Sequence, residues 1–225
     1  MKRSFGLIAP YATWMVLMAA LPATVGGYAV RTVIVSGMLW WALRGNLREL
    51  LLGAPSRNTA ASPRTPLAPA SQLADARGIP DFRSLASSLL PGLITGILVF
   101  ALWILPEQFD WVWYRKWCMV GEGGTQAVAE AGAAMIAVRL VGSAFVISVA
   151  EELFFRKWLI GFAGFWWMVA LFAIEHDRWL VGAIAGIAYG LLYLRKGLPA
   201  AIVAHVTTNL VLGLLVIRSG QWQFW

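Results

Sequence analysis

Glu151-Glu152-Leu-Phe-Phe-Arg156 interrupts an apolar run that extends over residues 133–160. Two carboxylates and a guanidinium are costly inside such a run, in lipid or in a protein core, unless they find partners. The chain offers partners of a fitting kind. It has two histidines, His176 in Phe172-Ala-Ile-Glu-His176 and His205 in His205-Val-Thr-Thr-Asn209, and each lies beside an apolar segment. Carboxylates, imidazoles and an amide set against three apolar runs read together as one buried polar site in a membrane protein.

Composition supports that reading. Of 225 residues 60% are hydrophobic and 13% charged, with mean hydropathy +0.70. The charged share is about half of that in soluble domains. A soluble domain of this size cannot hide so much apolar surface, whereas membrane helices need not hide it. The apolar runs cover 5–25, 28–43, 84–105, 133–160, 164–176, 179–194 and 198–217. They predict an all-α polytopic transmembrane bundle of seven helices, six and eight being the bounds, forming a single membrane domain over 1–225. The fifth and sixth runs are shorter than the roughly 20 residues of a full span. Residues 45–83 are rich in Pro, Ser, Ala and Thr and read as a flexible loop. Residues 131–217 carry the polar motifs.

Charge adds a topology. The net charge is +7, and six of the 18 basic residues fall between Arg44 and Arg83. Others stand singly at helix ends, which is the pattern of topology determinants and not of nucleic-acid binding. Segment 106–130 carries four acidic and two basic residues and the aromatic run Trp111-Val-Trp-Tyr-Arg-Lys-Trp117, and it reads as interfacial. With Met1 cytoplasmic, the loop 44–83 and the residues Arg156, Lys157, Arg195 and Lys196 all return to the cytoplasmic side. The expectation is an integral protein of the cell inner membrane with a cytoplasmic N-terminus. The first run also has the form of a signal peptide, and a retained helix is preferred because the rest of the chain is equally apolar. The one cysteine, Cys118, leaves no intramolecular disulfide and no cysteine metal cluster.

The clusters share a depth. Glu151 precedes the glycine turn at 161–164, and His176 follows it, by similar numbers of residues, which places both roughly 17–20 Å from that turn. His205 lies about 13 Å from the turn at Lys196-Gly197, and Asn209 one helical turn deeper. His205 and Asn209 share a helix face, as do Glu152 and Arg156, which pair there. Glu151 points about 100° away from Glu152, so one carboxylate is neutralised while the other faces a cavity. Gly182, Gly186 and Gly190 recur every fourth residue and allow close helix contact. A glutamate with a histidine activates water, and a second imidazole with a carboxamide stabilises an oxyanion, a set suited to amide hydrolysis. No Gly-x-Ser-x-Gly elbow is present. Two histidines and a glutamate also match a catalytic zinc donor set, although His-Glu-x-x-His is absent. A metal-free, cofactor-free site is the expectation and zinc the alternative. An ion pathway or transporter, and a non-catalytic partner or immunity module, are the readings outside enzymology.

The ordered set Glu-Glu-x-x-x-Arg, Phe-x-x-x-His and His-x-x-x-Asn resembles the motifs of the prenyl-protein type II endopeptidases and their prokaryotic relatives, the CAAX protease and bacteriocin-processing family. The approach Leu192-Tyr-Leu-Arg-Lys-Gly-Leu-Pro-Ala-Ala-Ile-Val-Ala-His205 is also similar. The resemblance covers about 139–217. It implies a glutamate-type intramembrane endopeptidase in which Glu151 activates water with help from His176. His205 and Asn209 would stabilise the oxyanion, with Glu152, Arg156 and Phe172 supporting. The implied partners are the bilayer and a membrane-associated peptide or protein, prenylated in the eukaryotic members, and no nucleic acid. The loop 45–83 and the run Glu175-His-Asp-Arg178 depart from the family pattern.

Overall fold

The computed structural model describes residues 2–44, 82–119 and 132–224. Most of the expected loop, residues 45–81, lies outside the described residues, as does 120–131 of the expected interfacial stretch. The described chain is helical, without a strand. Its helices are α1 (Lys2–Ala20), α2 (Val25–Leu43), α3 (Phe82–Gln108), α4 (Val112–Cys118), α5 (Ala133–Ala163), α6 (Phe165–Ile174), α7 (Trp179–Lys196) and α8 (Leu198–Ser219). A short 3-10 turn, Trp222–Phe224, follows. Seven of these correspond to the seven apolar runs. The eighth, α4, is a short aromatic helix within the segment read as interfacial.

Three helices are long and apolar enough to cross a bilayer: Leu89–Gln108, Ala133–Ala163 and Leu198–Ser219. Two belts of exposed aromatic side chains mark the ends of the bundle. Trp40, Trp41, Phe162, Trp166 and Trp167 gather at one end, and Phe109, Trp111, Trp113, Trp117 and Trp179 at the other. Such belts sit at headgroup level, where an amphipathic ring meets both lipid and water.

The expected turns form, and each is a single glycine. Gly164 joins α5 to α6 at φ 93°, and Gly197 joins α7 to α8 at φ 83°. Side chains with a Cβ rarely adopt this conformation, so these one-residue reversals are reserved for glycine. They lie at the same end of the bundle, which also holds the exposed side chains of Arg44, Arg195 and Lys196. No carboxylate among the described residues lies at this basic end.

Helix α8 is central, packing against α3, α5 and α7. Its crossing with α3 is tight. A Cβ on Gly92 would come within 2.8 Å of the Ala200 carbonyl oxygen, and one on Gly96 within 2.5 Å of that of Ala204. The glycine ladder of α7 serves α6 in the same way. Gly182 faces the His176 Cβ, Gly186 faces Phe172, and Gly190 faces Phe165 and Met168. Small residues are how helices approach closely in lipid, where dispersion replaces the hydrophobic drive. The half of the bundle toward the basic end is filled by Phe155, Leu159, Met168, Val169, Leu192 and Ala200.

Overpacking the α3–α8 crossing tests this account. Gly96→Val should destabilise the protein by about 1–3 kcal/mol. Gly37→Ala, where an added Cβ meets nothing within 4 Å, should be neutral or stabilising. Thermal unfolding in detergent distinguishes the two.

Candidate active site

Two segments of α5, Gly142–Ile147 and Glu152–Leu159, are wound as π-helix. Such turns shift the hydrogen-bond register and occur often at functional sites. The first lies where the Ser143 carbonyl receives two side-chain donors, Ser148 Oγ at 3.1 Å and Asn209 Nδ2 at 3.1 Å. The second carries Glu152 and Arg156.

Glu152 and Arg156 are wholly buried, with Oε1 3.1 Å from Nη1. The expected ion pair therefore forms. The guanidinium also lies 4.1 Å from the Phe172 ring centroid and 5.4 Å from that of Tyr189. A carboxylate on its own face and an aromatic cage give it partners inside the bundle, so its charge need not reach the interface.

The same Glu152 Oε1 accepts a hydrogen bond from His205 Nδ1 at 2.8 Å. A carboxylate can only accept, so Nδ1 carries the proton and Nε2 is the other functional face of the ring. That Nε2 is 3.7 Å from Glu151 Oε2, beyond hydrogen-bond reach. Glu151 Oε2 is buried without a hydrogen-bond partner. The two adjacent glutamates thus meet one imidazole at its two nitrogens. The expected division, with only Glu152 neutralised and Glu151 turned elsewhere, holds for the ion pair but not for His205, which both carboxylates approach. Tyr189 stacks on the His205 ring, with centroids 5.1 Å apart and planes at 26°.

His176 stands on the far side of Phe172. Its Nδ1 is 2.7 Å from the Phe172 carbonyl oxygen, which obliges Nδ1–H to donate and leaves Nε2 an acceptor. Its ring packs against Phe172 at 4.6 Å and Trp103 at 5.5 Å. Asn209 donates from Nδ2 to the Ser143 carbonyl and, at 3.0 Å, to Ser148 Oγ. Both of its amide hydrogens are engaged, so a ligand oxygen must displace one of these acceptors.

His176, Phe172, His205 and Asn209 line one cavity of about 170 Å³, with Ser143, Tyr189, Thr208, Trp103, Leu212 and Phe224 among its other walls. The second and third motifs line this cavity; Glu151, expected to face it, does not, and the first motif joins the other two behind the wall, through Glu152 and Glu151 at His205 and Arg156 at Phe172. Sequence reading missed several contributors. Thr208 links three elements: its Oγ1 donates to the Gly96 carbonyl at 2.8 Å and accepts from Tyr189 Oη at 2.6 Å. Its signal was a second polar residue inside His205-Val-Thr-Thr-Asn209, and that of Tyr189 was a hydroxyl within the glycine ladder. Glu175, noted only as part of an unusual run, lies beside Tyr11 of α1. Among the described residues, no three His, Cys, Asp or Glu side chains are grouped to hold a metal ion.

Residues 133–211 match the family model described as Type II CAAX prenyl endopeptidase Rce1-like. The match spans α5 to most of α8, and so includes all three motifs. The resemblance read from those motifs is borne out, and the chain is an integral membrane protein. No curated protein and no solved structure matches the chain.

The buried ion pair makes a stability prediction. Glu152→Ala leaves the Arg156 guanidinium buried without its partner and should cost about 3–5 kcal/mol. Replacing both residues, Glu152→Leu with Arg156→Met, should cost far less than the sum of the single changes, as read from a double-mutant cycle of thermal unfolding.

Proposed function

We propose that this protein is an intramembrane endopeptidase of the CAAX-protease type, cleaving a peptide bond near the membrane in a membrane-associated protein or peptide. The observation that carries the reading is Glu151. Its Oε2 is buried, without a hydrogen bond, and 3.7 Å from the nitrogen of a histidine that lines a cavity. Glu152 Oε2 and Glu175 Oε2 are buried without a hydrogen bond as well, but Glu152 is engaged through Oε1 by Arg156 and His205, so what sets Glu151 apart is its place beside Nε2 of His205. A water about 2.8 Å from both Oε2 and His205 Nε2 fits beside that pair.

In this reading Glu151 is the general base. It takes a proton from the water as the oxygen attacks the scissile carbonyl carbon. The second water hydrogen goes to His205 Nε2, an acceptor beside Glu151, which orients the attack, and His176 is the acceptor left on the cavity wall for the N–H of the incoming peptide. The developing oxyanion takes an Asn209 amide hydrogen now given to Ser148 Oγ. The proton held on Glu151 then passes to the leaving amine as the C–N bond breaks. Glu152 and Arg156 hold His205 in place, so they are positioning residues. Roles for His205 shift accordingly. With Nδ1–H committed to Glu152, its Nε2 donates to an oxyanion only in the doubly protonated ring. Its geometry favours steering water to Glu151. No step needs a metal.

The basic end, at Gly164 and Gly197, faces the cytoplasm in this proposal, together with the start of α1, because cytoplasmic loops carry the excess of Lys and Arg.

Glu151→Gln preserves volume and removes the base. It should abolish cleavage of membrane peptides while the protein stays inserted and folded by thermal unfolding, and full retained activity would refute the assignment. Asn209→Ala should lower kcat by roughly 10²–10³-fold. A strong chelator should leave wild-type activity intact, and loss of activity restored by zinc would replace the water-activating glutamate with a metal.

A further inference from the structure

The two halves of the bundle are built differently along its axis. From the carboxylates toward the basic end, the interior is filled by packed side chains such as Phe155, Leu159, Met168 and Val169. The cavity extends the other way. On α8 its lining runs from His205 through Thr208 and Asn209 to Leu212, away from Gly197. On α5 it takes only Ser143, eight residues before Glu151 and so farther from Gly164, and on α3 it takes Trp103, five residues before the helix end at Gln108. Three helices report the same direction, while Phe172 and His176 of α6 and Ala185 and Tyr189 near the middle of α7 form the inner part of the cavity. At the outer end the wall is Phe224, from the turn that follows α8.

That wall is fixed in position at the end opposite the basic turns. Arg178 donates from Nη2 to the Gln223 carbonyl at 3.0 Å, lies 4.9 Å from the Phe224 ring centroid, and pairs with Glu107 of α3. Gln108 and Gln221 hydrogen-bond each other at the same end. The exposed belt of Trp111, Trp113, Trp117 and Trp179 surrounds this region and sets it at the level of the lipid headgroups.

We infer that substrate and water reach the site from the end opposite Gly164 and Gly197, past Trp103 and Phe224. With the basic end cytoplasmic, the cleaved bond is presented at the extracytoplasmic face. The substrate class is then the juxtamembrane segment of an exported, membrane-anchored protein, and not a peptide attached to the cytoplasmic leaflet. An apolar side chain beside the scissile bond fits the wall of Trp103, Leu212 and Phe224. The substrate class rests on the endopeptidase reading, whereas the direction of access does not.

Cysteine accessibility tests the direction without needing activity. In a Cys118→Ser background, Trp103→Cys and Leu212→Cys place a thiol on the cavity wall, and Arg195→Cys places one at the basic end. Intact cells and inside-out vesicles are each treated with a membrane-impermeant maleimide. The expected result is labelling of positions 103 and 212 in intact cells, lost when an impermeant thiol quencher is added outside first. Position 195 should label only in inside-out vesicles. Labelling of 103 and 212 from the cytoplasmic side alone, or from neither side, overturns the inference. Either cavity variant suffices should the other fail to fold. A chain that labels from outside yet cleaves no peptide, with Glu151→Gln unchanged from wild type, would instead refute the endopeptidase reading and leave the access route standing.

Discussion

The structure depends on one buried ionic cluster, in which Glu152 holds Arg156 on its own helix and His205 on another. Neither charge has water to solvate it, so each is tolerable only through the other. The consequence is geometric. Arg156 fixes the Glu152 rotamer, Glu152 fixes the tautomer and plane of His205, and Tyr189 closes the remaining face of that ring. What is left unfixed is the second nitrogen of His205 and the carboxylate of Glu151. These are the two groups that stand nearest to where a reaction would occur. Buried polar networks contribute uniqueness more reliably than they contribute stability.

The glycine ladder of α7 connects this cluster to packing. Gly182 and Gly186 lie four residues apart, and so do the residues they face, His176 and Phe172. A helix face with no side chain is matched to a helix face bearing the motif. That match draws α6 close enough for Phe172 to contact both the Arg156 guanidinium and, at 5.9 Å, the His205 ring. The spacing of the motif and the spacing of the ladder are two aspects of one interface, which explains why small residues in α7 are as exacting as the polar ones.

Much of this was legible in the sequence, for reasons that differ by feature. The helices were legible because lipid demands continuous apolar runs, and the turns because only glycine reverses the chain in one residue. The meeting of the three motifs was legible because helical rise converts residue counts into depth. What was not legible depends on register. The π turns of α5 change which face each residue presents, and nothing in Gly142–Ile147 or Glu152–Leu159 announces them. Glu151 and Glu152, about 100° apart on an α-helix, both approach His205, at 3.7 Å and 2.8 Å. Asn209 illustrates a second gap. Its spacing from His205 was readable, but its partners are a main-chain carbonyl and a serine hydroxyl of another helix, which no pattern along the chain encodes.

The short helix α6 shows how a membrane bundle admits polar chemistry at all. Its 10 residues cover about 15 Å, half of a bilayer core of about 30 Å. The chain leaves helical geometry inside the bundle, beside the first turn of α7, where Gly182 faces the His176 Cβ, and carbonyls freed there need partners. The structure resolves this locally. The last turn is closed by backbone bonds from Glu175 to Leu171 and from His176 to Ala173, and the carbonyl of Phe172 is taken by the ring of His176. The histidine is thus a helix cap before it is anything else. That duty sets its tautomer, and the tautomer makes its other nitrogen an acceptor directed at a cavity. A full-length α6 would satisfy its own carbonyls and carry His176 through the bilayer with no such obligation. The early end of one helix supplies both the need for the imidazole at that carbonyl and its chemical state there, and non-helical backbone within a membrane bundle is tolerated where it lines such a cavity.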